Sequence, residues 1–242
     1  MNLEKIIKEA LPALQKTGTW IQNEAQSFDL NKVVLKGKND LVSYVDKEAE
    51  KKLVIDLKSI LPEAGFITEE DTADDDQKEF TWIIDPLDGT TNFIHGLPVY
   101  SISVGLLQGK DIVGGIVYEL NKKELFYAWK GGGAFLNDNP IRVAPTQDLS
   151  NSLLATGFPY YQFDKLDNYL AIIKDLMMHS HGLRRLGSAA VDLAYVACGR
   201  YEGFFEYNLN AWDIAAGILL VQEAGGSVTD FSGGNNVLFG RE

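Results

Sequence analysis

The chain has 242 residues, 45% of them hydrophobic and 23% charged, so it is long enough to bury a sizeable core and its composition excludes an intrinsically disordered protein. Its 22 basic and 34 acidic residues leave a formal net charge of −12, which argues against broad nucleic-acid binding and is compatible with bound cations. The single cysteine, Cys198, excludes an internal disulfide and fits a reducing cytoplasm.

The first residues are not typical of a targeting segment. Acids and lysines interrupt the apolar pattern of "MNLEKIIKEALPALQK", unlike a signal peptide. No run of about 18 apolar residues follows, so no membrane span is predicted. We therefore expect a cytoplasmic protein that binds neither membranes nor nucleic acids.

Two helices are predicted first. Apolar spacing from residue 3 to about 28 predicts one long amphipathic helix, bent or broken near Pro12 or Gly18. After a loop or strand, a helix is predicted from about 44 to 61. Its predicted apolar face consists of Leu53, Ile55, Leu57 and Leu61.

Strands dominate the next part. "GFITEED" predicts a short strand ending in acids, and a buried strand is predicted at 81–85. Residues 99–129 alternate or run apolar, which is typical of an antiparallel meander. Two further short strands are predicted around a turn at 137–140.

Helices dominate the C-terminal part. One is predicted at 165–178, one in "GSAAVDLAYVACG" beginning at Gly187 or Ser188 and ending at Gly199, and one in "NAWDIAAGILLVQEAGG". "YEGFFEYN" predicts a strand, and "SVTDFSGG" a strand and turn. The segment "APTQDLSNS" suggests two closely packed parts, residues 1–147 and 148–242.

Acidic residues recur at predicted element ends. They are Asp40 and Asp46, Glu69 and Glu70, Asp85 and Asp88, and Asp213. Carboxylates so placed can supply the hard oxygen ligands that Mg²⁺ prefers. Two such ions ~3.5–4 Å apart can clamp the attacking and leaving oxygens of a phosphoryl transfer.

The segment "DPLDGTT" suits such a site. Pro86 stiffens the turn, the Leu87 carbonyl is a neutral oxygen, and Gly89 permits close approach of a ligand. If a helical turn begins at Thr90, its free N–H groups can bind phosphate. Taken alone, the segment is more typical of an ordinary turn than of a site, and Asp213 is more typical of a helix cap. The residues by themselves leave both interpretations open.

Three motifs together resemble the inositol monophosphatase family, within the superfamily of magnesium-dependent, lithium-sensitive phosphatases. They are "ITEED", "WIIDPLDGTTNF" and "WDIAAG", in the family's order and spacing, and the resemblance extends from Lys36 to Gly226. It implies an α/β (α+β) fold, a layered αβαβα sandwich of helix pairs and sheets, and usually a homodimer.

The resemblance also implies roles for single residues. Glu69, Asp85 and the Leu87 carbonyl would hold one Mg²⁺ ion, and Asp85, Asp88 and Asp213 a second; two or three ions are expected. Thr90 and Glu69 would position the attacking water, while Glu70, Lys36 and Asp46 would support the site. The residues expected to contact the substrate are Asp88, Gly89, Thr90, Ala189, Glu206 and Asp213.

Departures from the family pattern are few. Thr68 replaces the usual glycine and Ser43 the usual threonine. Family members usually continue beyond the position of Glu242 through a strand and a helix, so a short member or a missing C-terminal segment is expected.

The resemblance implies hydrolysis of inositol monophosphate, with inhibition by lithium. Glu206 favours a polyol because a carboxylate accepts hydrogen bonds from two ring hydroxyls. Two alternatives remain. The same site can act on fructose bisphosphate, a nucleotide 3′-phosphate or histidinol phosphate, or the chain can be a non-enzymatic, partner-binding protein.

Overall fold

The structure is a computed structural model that describes residues 1–28, 34–37, 40–73, 78–146, 148–158 and 163–240. Of residues 34–37 and 40–42 it describes the backbone alone. These two segments form strands β1 (Val34–Gly37) and β2 (Asp40–Val42), which pair as an antiparallel ribbon.

Two helices form the first layer. Helix α1 spans Leu3–Gln26 and helix α2 spans Tyr44–Ile60, and they pack against each other. Helix α1 is continuous through Pro12 and Gly18, so the alternative of a break at either position is wrong. Its buried face extends on both sides of Pro12, which keeps the helix in one piece despite the missing N–H.

The buried face of α2 corrects one prediction. Leu53 and Leu57 are fully buried, and Leu61 follows them into the core. Ile55, predicted on the same face, is 68% exposed. It lies two residues after Leu53, a rotation of about 200° around a helix, so the two side chains point in opposite directions.

A large sheet forms the second layer, with seven strands in the order β3-β4-β5-β6-β7-β8-β9. Strand β3 runs parallel to β4, and every later pair is antiparallel. The predicted meander is therefore confirmed. The bounds are β3 Gly65–Thr68, β4 Phe80–Asp88, β5 Ser101–Gln108, β6 Asp111–Glu119, β7 Glu124–Trp129, β8 Gly133–Leu136 and β9 Asn139–Ile141.

Three longer α-helices and two short ones follow, besides a 3₁₀ turn at Leu149–Asn151. Helix α3 spans Thr90–Ile94, α4 Leu166–His179, α5 Ala189–Ala197, α6 Ala211–Glu223 and α7 Val237–Gly240. Ser188 is the N-cap of α5, and its side chain accepts a hydrogen bond from the Val191 N–H. Of the two predicted starts, Gly187 and Ser188, the second is confirmed. Helices α5 and α6 pack together, and α6 lies on the large sheet.

The large sheet separates the two helix pairs because its residues alternate between faces. On β4, Trp82 and Ile84 pack with α1 and α2, whereas Ile83 packs with Ala215 of α6. Asp85 continues the alternation on the side of Ile83. The strand therefore directs Asp85 towards α6.

A small sheet lies beyond α5. Strands β10 (Leu153–Thr156), β11 (Gly182–Arg184) and β12 (Gly203–Phe205) are parallel, in the order β11-β10-β12. Phe204 packs with α5, and the ring of Phe205 lies 5.4 Å from that of Tyr169 on α4. The small sheet thus separates α5 from α4. The layers run α1/α2, large sheet, α5/α6, small sheet, α4, which confirms the αβαβα prediction.

Residues 227–234 depart from the sequence prediction. The turn is present, since the Asp230 Oδ1 accepts the Ser232 and Gly234 N–H groups at 2.9 and 2.7 Å. The predicted strand is wrong: among the described residues, nothing pairs with this segment as a strand. The predicted division between residues 147 and 148 stays a prediction, because residue 147 lies outside the described ranges.

No helix within the described ranges is both long enough and apolar enough to cross a bilayer.

Candidate active site

A bulge at the end of β4 brings Asp85 and Asp88 to one face of the sheet. In a regular strand, residues three apart point to opposite faces. Asp85 pairs with Ser103 and Asp88 with Ser101, which are two residues apart on β5, so β4 contains one extra residue here. The bulge re-aims Asp88 to the side of Asp85.

Glu69 reaches Asp85 from the neighbouring strand. Thr68 pairs with Ile84 in the parallel register, and the Glu69 N–H donates to the Ile84 carbonyl at 3.2 Å. Glu69 therefore leaves β3 directly beside Asp85. The charge of Glu69 and its side-chain contact with Asp85 both raise the pKa of Asp85.

Asp213 joins this group from the first turn of α6. Its Oδ2 accepts the Asn210 N–H at 2.6 Å, so Asn210 is the N-cap and Asp213 is the third residue of the helix. The interpretation of Asp213 as the capping residue itself is corrected accordingly. Because α6 packs on the face to which Asp85 points, Asp213 adds negative charge to the same place.

The pKa of Asp85 shows how the acids interact. Burial raises it well above its usual range, and the charges of Glu69, Asp88 and Asp213 raise it further. Four acids, Glu69, Asp85, Asp88 and Asp213, thus offer oxygen donors around a place that favours positive charge. We refer to them as the acid cluster.

The acid cluster is not a closed cage. In the described ranges, no group of three or more acidic, histidine or cysteine side chains is arranged so that it could hold a metal ion. Mg²⁺ takes oxygen ligands and keeps several waters, so a closed cage of side chains is not required for it. The all-oxygen donor set and the mutual repulsion of the carboxylates fit a divalent cation.

Thr90 connects the β4 bulge to α2. Its hydroxyl lies 2.9 Å from both the Asp46 Oδ1 and the Leu87 carbonyl oxygen. Asp46 is buried, and its Oδ2 accepts the Ser43 N–H and hydroxyl at 2.8 and 2.7 Å. Burial raises the pKa of Asp46, opposed by these hydrogen bonds. Asp46 thereby ties the start of α2 to the start of α3.

Asp88 is fixed against the start of α5. Its Oδ2 accepts the Ser188 hydroxyl and the Ala190 N–H, both at 2.7 Å, and the Ala189 backbone adds a further contact. Burial raises the Asp88 pKa to about 6 despite these hydrogen bonds. The predicted substrate residue Ala189 therefore lies beside the acid cluster.

Gly89 is required by the bend between β4 and α3. Its φ of +98° is in the left-handed region, and a Cβ there would lie 3.0 Å from the Val99 carbonyl oxygen and 3.1 Å from that of Gly187. Any other residue would strain the backbone and crowd both carbonyls.

Glu206 approaches from the small sheet. Thr156 pairs with Phe205, so Gly157 and Glu206 leave two parallel strands side by side. A Cβ on Gly157 would stand 1.9 Å from the Glu206 carboxylate. Burial raises the Glu206 pKa to about 8; Asp213 adds to the shift and Arg185 opposes it. Glu206 therefore lies on the Asp213 side of the acid cluster.

Asp192 is a further buried acid near this side. It is 1% exposed, and its Oδ1 has no hydrogen-bond partner among the described residues. Burial raises its pKa to about 9, with contributions from Glu206 and Asp88. The sequence analysis did not single out this residue.

Two other residues at the site escaped the sequence analysis. Glu50 on α2 is fully buried, and its carboxylate accepts the Glu70 N–H at 2.8 Å. Tyr169 places its hydroxyl 3.0 Å from the Gly157 carbonyl and 3.1 Å from that of Phe205. A signal existed for Glu50, a carboxylate in the same helical stripe as Asp46, Leu53 and Leu57, but none for Tyr169.

The predicted supporting residues have different positions. Glu70 is buried next to Glu69 and is held by Glu50. Lys36 lies on β1, and its side chain is outside the described part of the chain.

Comparison with known proteins identifies the family to which the chain is similar. The chain matches the model of the inositol monophosphatase family over residues 2–242. It is 41% identical to an inositol-1-monophosphatase of Mesorhizobium japonicum over 239 residues, covering 98% of this chain and 90% of that protein. It is 44% identical to a putative Nus factor SuhB of Neisseria meningitidis serogroup B over 232 residues, covering 96% and 89%.

A solved structure shares the fold. The extragenic suppressor protein suhB from Bartonella henselae superposes with a TM-score of 0.91 at 40% identity, covering 97% of this chain and 90% of that one. Family membership supports a phosphatase activity, and such families are generally metal-dependent. The acid motifs, the layer order and the match over nearly the whole length agree: the chain belongs to the inositol monophosphatase family.

Proposed function

We propose that the chain is a Mg²⁺-dependent phosphomonoesterase that hydrolyses inositol monophosphate to inositol and phosphate. The observation that carries the proposal is the acid cluster, in which Glu69, Asp88 and Asp213 surround the buried Asp85 and raise its pKa. Without a cation, this arrangement is electrostatically unfavourable. A phosphatase has a use for it, because cations held there also attract phosphate.

The residues would share two or three ions. Glu69, Asp85 and the Leu87 carbonyl would hold one, and Asp85, Asp88 and Asp213 another. The Leu87 carbonyl oxygen lies 2.9 Å from the Thr90 hydroxyl and has two lone pairs, so it can also face a cation. Bound there, Mg²⁺ supplies positive charge that stabilises the phosphoryl transition state and lowers the pKa of water.

Thr90 would orient the attacking water. A hydroxyl has one hydrogen, so donation to Asp46 leaves the oxygen of Thr90 free to accept a hydrogen bond from that water. Glu69 would accept the second hydrogen of that water. The first N–H groups of α3, at Gly89 and Thr90, would face a phosphate oxygen.

Glu206 would select the alcohol. Its carboxylate leaves the small sheet on the Asp213 side of the acid cluster, where the leaving alcohol of the phosphate ester would lie. When ionised, it can accept hydrogen bonds from two ring hydroxyls. Asp88, Ala189 and Asp213 would complete the polyol contacts. These contacts favour the phosphate ester of a polyol over histidinol phosphate, whose alcohol has no neighbouring hydroxyl; fructose bisphosphate and a nucleotide 3′-phosphate are distinguished by the substrate panel.

A homodimer is the proposed assembly. Helix α4 lies outside the small sheet, and Leu170, Met177 and Met178 on it are 48%, 66% and 62% exposed. An apolar helix surface of this kind is typical of an interface. We propose that a second copy of the chain covers it.

The second candidate function is partner binding without turnover. It is favoured by the relative at 44% identity named a putative Nus factor. A protein acting only through its surface has no need of the acid cluster or of Thr90 beside it. The two functions can also coexist in one protein.

A substrate panel tests the proposal. Phosphate release would be measured for inositol 1-phosphate, fructose 1,6-bisphosphate, adenosine 3′-phosphate and histidinol phosphate, with saturating Mg²⁺ and with chelator. We expect the highest kcat/KM for inositol 1-phosphate, strict dependence on Mg²⁺, and inhibition by lithium. Glu206→Gln should reduce the ratio of kcat/KM for inositol 1-phosphate to kcat/KM for the other esters. Absence of turnover on every ester would contradict the proposal and favour partner binding.

A further inference from the structure

A second buried carboxylate on α2, Glu50, holds the loop that carries Glu69. Its Oε2 accepts the Glu70 N–H at 2.8 Å, and its Oε1 accepts the Thr72 N–H and hydroxyl at 2.9 and 2.8 Å. Glu50 is fully buried. All three hydrogen bonds go to one loop, residues 69–72, which follows β3.

These bonds constrain the backbone on both sides of Glu69. On one side, the Glu69 N–H donates to the Ile84 carbonyl of β4 at 3.2 Å. On the other, the next peptide N–H, that of Glu70, donates to Glu50. The loop then turns sharply through Asp71, whose φ is +52°. The direction of the Glu69 side chain is therefore set jointly by the sheet and by Glu50.

Glu50 lies on the buried face of α2, where an apolar side chain could pack in the core. The buried stripe of α2 contains Asp46, Glu50, Leu53 and Leu57, spaced by four, three and four residues. Burying a carboxylate carries a large desolvation cost, and apolar residues in such positions are often neutral or stabilising. The hydrogen bonds to the loop, rather than the packing of the core, therefore account for a carboxylate at this position.

The two acids of the stripe act on different loops of the site. Asp46 accepts the Thr90 hydroxyl at 2.9 Å, and Glu50, one helical turn later, holds the loop of Glu69. One rigid helix thereby sets the distance between the start of α3 and the end of β3. Thr90 begins α3 and Glu69 directly follows β3, so these two site residues stand at the two points.

We propose that Glu50 is a positioning residue that sets the affinity of the site for its divalent cation by fixing Glu69. The inference rests on the proposed function, because Glu69 is there a ligand of Mg²⁺. Glu50 itself touches neither the ion nor the substrate. Removing an outer partner of this kind typically lowers metal affinity about 10–100-fold.

The experiment compares Glu50→Gln and Thr72→Val with the wild type and with Glu223→Gln. Glu223 is a matched control because it also bridges two loop N–H groups, those of Gly131 and Gly133, both at 2.8 Å. It ends α6, ten residues and about 15 Å from Asp213. Mg²⁺ affinity would be measured by calorimetry and Mn²⁺ affinity by electron paramagnetic resonance, with Tm and steady-state kinetics alongside.

We expect Glu50→Gln to weaken Mg²⁺ and Mn²⁺ binding by about 10-fold or more, with kcat recovering at high Mg²⁺. Thr72→Val removes one of the three bonds and should weaken binding less; it also provides the test if Glu50→Gln does not fold. Glu223→Gln should lower Tm and leave cation affinity unchanged. Wild-type cation affinity in Glu50→Gln, or in Thr72→Val where Glu50→Gln does not fold, would overturn the inference alone. A wild type that neither binds Mg²⁺ nor hydrolyses any ester would overturn the proposed function.

Discussion

Gly157 leaves the space that the Glu206 carboxylate occupies. A Cβ at this position would stand 1.9 Å from the carboxylate carbon and from its Oε2, so Gly157→Ala must displace Glu206. If Glu206 binds the polyol, losing its charged hydrogen bonds should raise the KM for inositol 1-phosphate about 10-fold or more, with a smaller change in kcat. Steady-state kinetics measures this split.

Gly203→Ala is the control for Gly157→Ala. Gly203 lies on the neighbouring strand, where a Cβ would meet the Leu154 side chain at 3.2 Å, away from the carboxylate. Its KM should match that of the wild type. A wild-type KM in Gly157→Ala would contradict the role given to Glu206.

Asp192 should make stability depend on pH. Burial raises its pKa from an ordinary 3.8 to about 9, so between these values the folded state binds a proton that the unfolded state lacks. Stability therefore falls as pH rises through this window, by at most about 1.4 kcal/mol per pH unit from this residue. Asp192→Asn removes the titrating group and keeps the shape of the side chain. The free energy of unfolding of this variant, relative to that of the wild type, should therefore increase as pH rises.

Denaturant unfolding at pH 5, 6, 7 and 8 in chelator measures this difference. The two free energies of unfolding should diverge as pH rises. Parallel curves would show that Asp192 does not titrate in this window.

At the residue scale, site residues that lie close together in the sequence can be predicted from motifs. Asp85, Asp88 and Thr90 lie within six residues of one another, so their grouping can be predicted. The hydroxyl of Tyr169 contacts the carbonyls of Gly157 and Phe205, which the tertiary fold brings near it. No local sequence pattern predicts these contacts. Glu50 is intermediate, since a helical projection shows it between Asp46 and Leu53.

At the element scale, two adjacent glycines of β6 face opposite sides of the large sheet: Gly115 faces α6, which carries Asp213, and Gly114 faces α1. A Cβ on Gly115 would lie 2.7 Å from the Ala216 carbonyl of α6, whereas one on Gly114 would meet the flexible Ile7 side chain of α1 at 2.3 Å. Both alanine substitutions should cost about 1–3 kcal/mol of stability. Gly115→Ala should also push α6, and with it Asp213, away from the sheet.

Cation affinity therefore distinguishes the two variants. Mn²⁺ titration should show weaker binding for Gly115→Ala and wild-type binding for Gly114→Ala, although unfolding reports a loss of stability for both. Equal cation affinities in the two variants would contradict the position given to α6.

Long elements follow from the sequence better than short ones. The meander and the helices at 44–61 and 165–178 have enough residues to display a period. Strands β10 and β11 have four and three residues and were not predicted. The bulge between Asp85 and Asp88 is likewise invisible in the sequence, because it appears in the register with β5.

At the scale of the whole molecule, the layer order could not be derived from periodicity. Alternation on β4 shows that the strand has two buried faces but does not show which helices cover them. The resemblance to a family supplied the order, and the contacts of Ile84 with α1 and α2 and of Ile83 with α6 confirm it.

Assembly is predicted to depend on α4. Leu170 and Met177 are seven residues apart and both exposed, so they share one face of the helix. The wild type should sediment as a dimer, and Leu170→Glu combined with Met177→Lys should give a folded monomer. Ile55→Glu, on the exposed face of α2, is the control and should stay dimeric. A monomeric wild type would contradict the proposed assembly.

The central claim concerns Asp85, the buried acid that the other three surround. The most direct measurement is phosphate release from inositol 1-phosphate by the wild type and by Asp85→Asn, each with and without Mg²⁺. The wild type should act with Mg²⁺ alone, and Asp85→Asn should lose about 1000-fold while staying folded, since several kcal/mol of transition-state stabilisation depend on the cation. Equal rates for the two proteins, or a wild-type rate indifferent to Mg²⁺, would contradict the account.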